Sequence, residues 1–149
     1  FWLGNSRGRR GFELVSQAAR NDPSDKVREH AIFALTQSME PQATQEIIRI
    51  AKEDRSTHVR GQALFWLSQM ASRQSAQAIT DAVENDPDTE VKKKAVFALS
   101  QLKDGAGVPK LIEVAQRNTN PAVRKQAIFW LGQSKDARAL KFLEDVLTK

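Results

Sequence analysis

The sequence predicts an all-α fold, an α-solenoid in which antiparallel helix pairs repeat every 32 residues and stack into a right-handed superhelix. Three observations predict it. Val27-Arg28, Val59-Arg60, Val91-Lys92 and Val123-Arg124 follow one another at intervals of 32 residues. Behind each comes the same kind of apolar block, Ala31 to Leu35, Ala63 to Leu67, Ala95 to Leu99 and Ala127 to Leu131, and Phe1-Trp2-Leu3 falls on the same register. Within each period apolar residues recur three and four positions apart, the spacing of one helix face, rather than alternating as in a strand.

Each period divides into two amphipathic helices. In the first complete period the helix bearing the Val-Arg pair, the VR helix, is expected from about Asp25 to Ser38, with Val27, Ala31, Ala34, Leu35 and Ser38 on one face. The second helix is expected from about Gln42 to Asp54, burying Ala43, Ile47, Ile50 and Ala51. Asp22-Pro23, Pro41, Asp86-Pro87, Gly105 to Gly107 and Asn120-Pro121 supply turns and helix starts. The 149 residues read as one repeat domain, with a partial repeat at 1–22 and repeats at about 23–54, 55–86, 87–118 and 119–149. One helix pair cannot bury two apolar stripes, so neighbours must stack, and both ends are expected to expose surface that a further repeat would cover. Phe1-Trp2-Leu3-Gly4 reads as the middle of a helix, so the sequence is expected to belong to a longer protein.

Composition narrows the function classes. With 40% hydrophobic residues the chain can bury a core unaided, and the absence of cysteine removes disulfides, thiolate metal sites and cysteine nucleophiles together. No apolar run approaches the roughly 20 residues needed to span a bilayer, so no membrane insertion is expected. A net charge of +5, from 23 basic and 18 acidic residues, permits an acidic partner without demanding one. Only two histidines, His30 and His58, are present, and no glycine-rich phosphate loop occurs. No enzyme activity, metal or cofactor is therefore expected, because acid-base and nucleophilic chemistry need convergent groups of tuned acidity.

The pattern Val-Arg-x-x-Ala-x-x-x-Leu, followed by a second helix such as Ala139 to Leu147, resembles the HEAT-repeat family over essentially the whole chain. It is most similar to the short bacterial HEAT-like repeats of the phycobilisome-lyase type. The resemblance implies that VR helices line the concave side. It also implies a structural ladder in which Asp22, Asp54, Asp86 and Asn118, each six residues ahead of Arg28, Arg60, Lys92 and Arg124, tie turns to neighbouring repeats. Lys92 and Asn118 depart from that pattern, so the ladder is expected to weaken there. The family hosts scaffolds, inhibitors, transport receptors and a few enzymes, so the resemblance assigns no function by itself. The His-Glu pairs with which some of those enzymes hold a di-iron centre are missing, since neither histidine is followed by Glu.

Phe33, Phe65, Phe97 and Phe129 stand six positions after each Val. At about 100° per residue they lie about 240° around the helix, away from the face that meets the second helix. Two readings follow. The rings form a ladder along a groove floor, as interaction surfaces do, or each lies flat and buried between adjacent VR helices. Trp2, Trp66 and Trp130 alternate with Ala34 and Ala98 and fall within about 20° of the Val direction, so they are expected to point into the core and balance volume between repeats.

His30, Gln62, Lys94 and Gln126 flank the phenylalanines; Gln37, Gln69, Gln101 and Gln133 follow one turn on, and Lys93 and Lys125 stand outermost. Together these residues are expected to bind a protein or peptide on the concave face. Two alternatives remain. One is nucleic-acid binding through basic groove residues and the clusters Arg7-Arg9-Arg10 and Lys92-Lys93-Lys94. The other is a structural spacer or dimerisation arm that associates through exposed repeat ends.

Overall fold

The computed structural model describes residues 8–70 and 72–148. Phe1-Trp2-Leu3 and Arg7 lie outside the described residues. Within them the secondary structure is helical throughout: α1 (Gly8–Asn21), α2 (Asp25–Thr36), α3 (Ala43–Glu53), α4 (Thr57–Ser68), α5 (Arg73–Asn85), α6 (Thr89–Ser100), α7 (Val108–Arg117), α8 (Pro121–Gln133) and α9 (Ala137–Leu147). The VR helices are α2, α4, α6 and α8; the others are second helices. By internal contacts the chain forms two compact units, Phe1–Leu67 and Ser68–Lys149. In the first unit α1, α2 and α3 pack on one another. In the second, α6 packs on α5, α7 and α8, while α9 packs on α7 and α8.

The VR helices begin where they do because each start is capped twice. Asp22, Asp54, Asp86 and Asn118 accept the backbone N–H two residues on, at 2.8, 2.8, 2.9 and 2.9 Å. Ser24, Ser56 and Asp88 then accept the N–H of Val27, Val59 and Val91, and Asn120 accepts that of Ala122. These side chains satisfy donors that a helix start leaves unpaired, so the short polar residues before each Val-Arg pair fix its first turn.

The arginines bind the same turns from behind. Arg28, fully buried, donates from Nη1 to the Asp22 carbonyl at 2.9 Å. Arg60 and Arg124 make the equivalent bond to the carbonyls of Asp54 and Asn118, at 2.8 and 2.6 Å. The carboxylate partner comes from the following repeat: Arg28 Nε and Nη2 fork onto Asp54 at 2.9 and 3.2 Å, and Nη2 also reaches Asp25 at 2.7 Å. So the residue six positions earlier contributes its backbone, and the charge pairs across one repeat. Lys92 has no fork and Asn118 no charge, so that rung carries no equivalent ion pair.

Below the turns lies the apolar core. Ile32, Leu35, Ile47 and Ile50 are buried in the first unit, and Val91, Val96, Leu99, Leu111 and Leu131 in the second. The expected second-helix stripe of Ala43, Ile47, Ile50 and Ala51 is buried, at the spacing of one helix face. Val27 departs from expectation. It is exposed, whereas Val59, Val91 and Val123 are fully buried, and no VR helix precedes α2 among the described residues. At the other end Ile128 is 44% exposed and Leu147 84%, although Val96 and Ala115, one repeat earlier, are buried.

A charged cluster unforeseen in the sequence joins α1 to α3. The Glu46 carboxylate is buried and accepts from Arg20 Nε and Nη2 at 2.9 and 2.8 Å and from Arg49 Nε at 2.9 Å. Two repeats later the same positions carry inverted charges, with Lys110 held between Glu84 and Glu113. Each site places one charge between two of opposite sign, bridging successive second helices.

Burial pushes the Glu46 carboxyl up, but the hydrogen bonds from Arg20 and Arg49 outweigh it and hold the group below the ordinary carboxylate range. A folded pKa below the unfolded one stabilises the native state above that range, and the contribution is lost as pH falls through the folded value. Glu46→Gln is accordingly expected to cost about 1–3 kcal/mol at neutral pH. The gap to wild type should narrow below about pH 4. Urea titrations at several pH values check this; a gap unchanged by acid would refute the assignment.

Candidate functional site

The outward face of the VR helices carries the phenylalanines that the sequence singles out. Phe33, Phe65 and Phe129 are 51%, 38% and 51% exposed, and Phe97 is half-buried. The rings are therefore neither enclosed nor free. Helical spacing turns them away from the second helix, and each is held at its edge by a tryptophan.

In the first unit Trp66 contacts Phe33 at 5.4 Å and Phe65 at 5.3 Å between ring centroids. In the second, Trp130 contacts Phe97 at 4.8 Å and Phe129 at 4.9 Å. The tilted and edge-on geometries suit aromatic quadrupoles and fix each phenyl ring at small entropic cost. Trp66 and Trp130 are half-buried, which corrects the expectation that they point into the core. The indole does not follow the buried direction of Val59 and Val123. It leans instead onto the phenylalanine of the preceding VR helix. Trp2 lies outside the described residues. Phe33 and Trp66 are 33 positions apart, one period plus one, and that offset was the available sequence signal.

Around the rings His30, Lys94 and Lys125 are exposed, while Gln62, Lys93 and Gln126 are half-buried. Gln37, Gln69, Gln101 and Gln133 are all exposed. Three of these amides share one geometry, donating from Nε2 to the hydroxyl just before them, Thr36, Ser68 or Ser100, at 3.2 to 3.3 Å. Thr36 and Ser100 in turn donate to the carbonyls of Phe33 and Phe97. The glutamine row is thus tied by hydrogen bonds to the backbone of the aromatic row. Gln133 follows Gly132 and has no such hydroxyl.

Some of the basic residues named from the sequence are paired with acids. Lys93 pairs with Glu90 at 3.3 Å, Arg9 with Glu13 at 3.5 Å and with Glu40 at 3.7 Å, and Arg10 with Glu13 at 3.8 Å. His58 meets Glu29 at 3.1 Å on the surface. Among the described residues no three His, Cys, Asp or Glu side chains gather as a metal-holding group. No described helix is long and apolar enough to cross a membrane.

Beside the second aromatic triplet lies a cavity of about 390 Å³, lined by Leu99, Gln101, Val108, Leu111, Trp130, Gln133 and Lys135 among others. Its rim is built by the turn before α7, where Asp104 (φ 59°) and Gly105 (φ 70°) adopt the left-handed conformation. Arg138 anchors that turn, donating to the Gly105 carbonyl at 3.0 Å and to Asp136 at 2.8 Å. Hydrogen bonds from the Arg138 side chain and backbone hold the Asp136 carboxyl at about 2. The Trp130 indole N–H is buried without a hydrogen-bond partner.

A model of HEAT repeats matches residues 12–100 and 76–149. No curated protein matches the chain.

Proposed function

Since the chain belongs to the HEAT-repeat family, whose members commonly act as protein-interaction scaffolds, we propose that it binds a protein or peptide on the face formed by its VR helices. The half-exposed phenylalanines pinned by Trp66 and Trp130 carry this reading. Aromatic rings already immobilised give up little freedom on binding, and aromatics are the residues most enriched where proteins meet. The glutamine amides alongside supply donors and acceptors to an extended backbone. His30, Gln62, Lys94 and Gln126, which differ from repeat to repeat, are the positions that select one partner over another. Nucleic-acid binding draws less support, because Arg9, Arg10 and Lys93 already face carboxylates.

The test pairs two variants, Phe33→Ala with Phe65→Ala, and Phe97→Ala with Phe129→Ala. Each is expected to keep its helical circular dichroism. Partners captured by crosslinking to the wild-type protein should bind at least tenfold more weakly to one pair or both. Undiminished capture by both folded variants would overturn the proposal, and binding to duplex or single-stranded nucleic acid that falls steeply with salt would replace it.

A further inference from the structure

We propose that the part of the VR face formed by α6 and α8 receives an acidic peptide segment, its carboxylates meeting Lys94 and Lys125 and a neighbouring apolar side chain meeting Phe97 and Phe129. The inference names the partner chemistry for the VR face and rests on that reading. On both helices the same three bands follow one another: Lys94, Phe97 and Gln101 on α6, and Lys125, Phe129 and Gln133 on α8. Residues three and four apart are neighbours on a helix surface, so each ring has a cation one turn before it and an amide one turn after it. Both lysines, both glutamines and Phe129 are exposed and Phe97 is half-buried, so all three bands are open to a ligand.

Charge decides the chemistry of that ligand. Lys93 is held by Glu90 at 3.3 Å, whereas among the described residues no carboxylate pairs with Lys94 or Lys125. The first unit has no lysine at the corresponding places. Glu29 and His30 precede Phe33, Gly61 and Gln62 precede Phe65, and Glu29 already meets His58 at 3.1 Å. The α6 and α8 rings are thus the ones edged by uncompensated positive charge, and complementarity calls for carboxylates beside them. A nucleic acid fits less well. Two unpaired lysines release few counterions, and neither place carries an arginine, whose fork suits phosphate.

Selection of a random-peptide phage library on the protein tests this. Enriched peptides are expected to carry Asp or Glu beside an aliphatic or aromatic residue, and a synthetic peptide of the leading sequence should bind more weakly as salt rises. Lys94→Gln and Lys125→Gln alter exposed side chains and should keep the wild-type circular dichroism. Each is expected to weaken the leading peptide about threefold, and both together about tenfold. Lys52→Gln, on α3, removes the same net charge from an exposed site on a second helix and should leave binding unchanged. No enrichment, enrichment of neutral or basic peptides, or wild-type affinity in the double lysine variant would overturn the proposal. Where neutral or basic peptides are enriched and then lost with Phe97→Ala and Phe129→Ala, the VR-face reading stands and the acidic partner alone falls. A single-stranded oligodeoxynucleotide that displaces the leading peptide and binds with a steeper salt dependence would assign the face to nucleic acid instead.

Discussion

Asp54→Ala is expected to lower the unfolding free energy by about 3–5 kcal/mol, the cost of removing one member of a buried ion pair. Arg28 is fully buried and the Asp54 side chain is 4% exposed, so the guanidinium left behind gains almost no water. Its remaining partners are the Asp22 carbonyl and Asp25, whose side chain is 61% exposed and screened by solvent. Asp54 does two jobs, however, since its Oδ1 also accepts the Ser56 N–H at 2.8 Å and so shapes the turn before α4. Asp54→Asn separates them. Asn118 closes the same turn with a neutral amide at 2.9 Å, so the asparagine variant should keep the turn, lose only the charge, and fall between wild type and alanine. The double variant Arg28→Met, Asp54→Leu should recover most of the alanine loss, because apolar groups of similar volume replace buried ion pairs with little penalty. Urea unfolding followed by circular dichroism measures all four proteins. Equal stability of Asp54→Ala and wild type would mean that the rung contributes nothing.

The rung also shows how far the sequence could be read. A period of 32 residues, helical spacing and the Val-Arg mark located the VR and second helices of the first complete repeat to within about two residues. Those features depend on local chemistry, which a sequence displays directly. Which carboxylate an arginine meets does not. Asp22 and Asp54 stand at equivalent positions, and only the stacking of α2 and α3 decides that Arg28 takes the backbone of the first and the charge of the second.

The candidate site divides the same way. A helical wheel placed the phenylalanines on the outward face, because their direction is set by their own helix. It misplaced Trp66 and Trp130, because a large ring's final position is set by the neighbour it meets, here Phe33 and Phe97 one repeat back. The Arg20, Glu46 and Arg49 cluster was hidden for a similar reason: its charges lie 26 and 3 residues apart and look like an ordinary solvated face until α1 and α3 close on them. The inverted set Glu84, Lys110 and Glu113 repeats that spacing, and this repetition was the overlooked signal.

Gly107→Ala should destabilise the second unit by about 3 kcal/mol or more, a large effect for one methyl group. An ideal Cβ there would sit 2.0 Å from the Leu99 carbonyl oxygen and 2.7 Å from its carbon. Both are backbone atoms, so no side-chain rotation relieves the overlap, and α7 must move away from the end of α6. Three equivalent positions tolerate a side chain, Ala43, Ser75 and Ala139, which shows that the constraint arises from this turn rather than from the fold. Among the described residues only this turn passes through two left-handed residues, Asp104 and Gly105, and Gly107 follows it against Leu99. Thermal unfolding of the variant against wild type measures the loss. A Gly107→Ala protein as stable as wild type would show that α6 and α7 do not approach so closely.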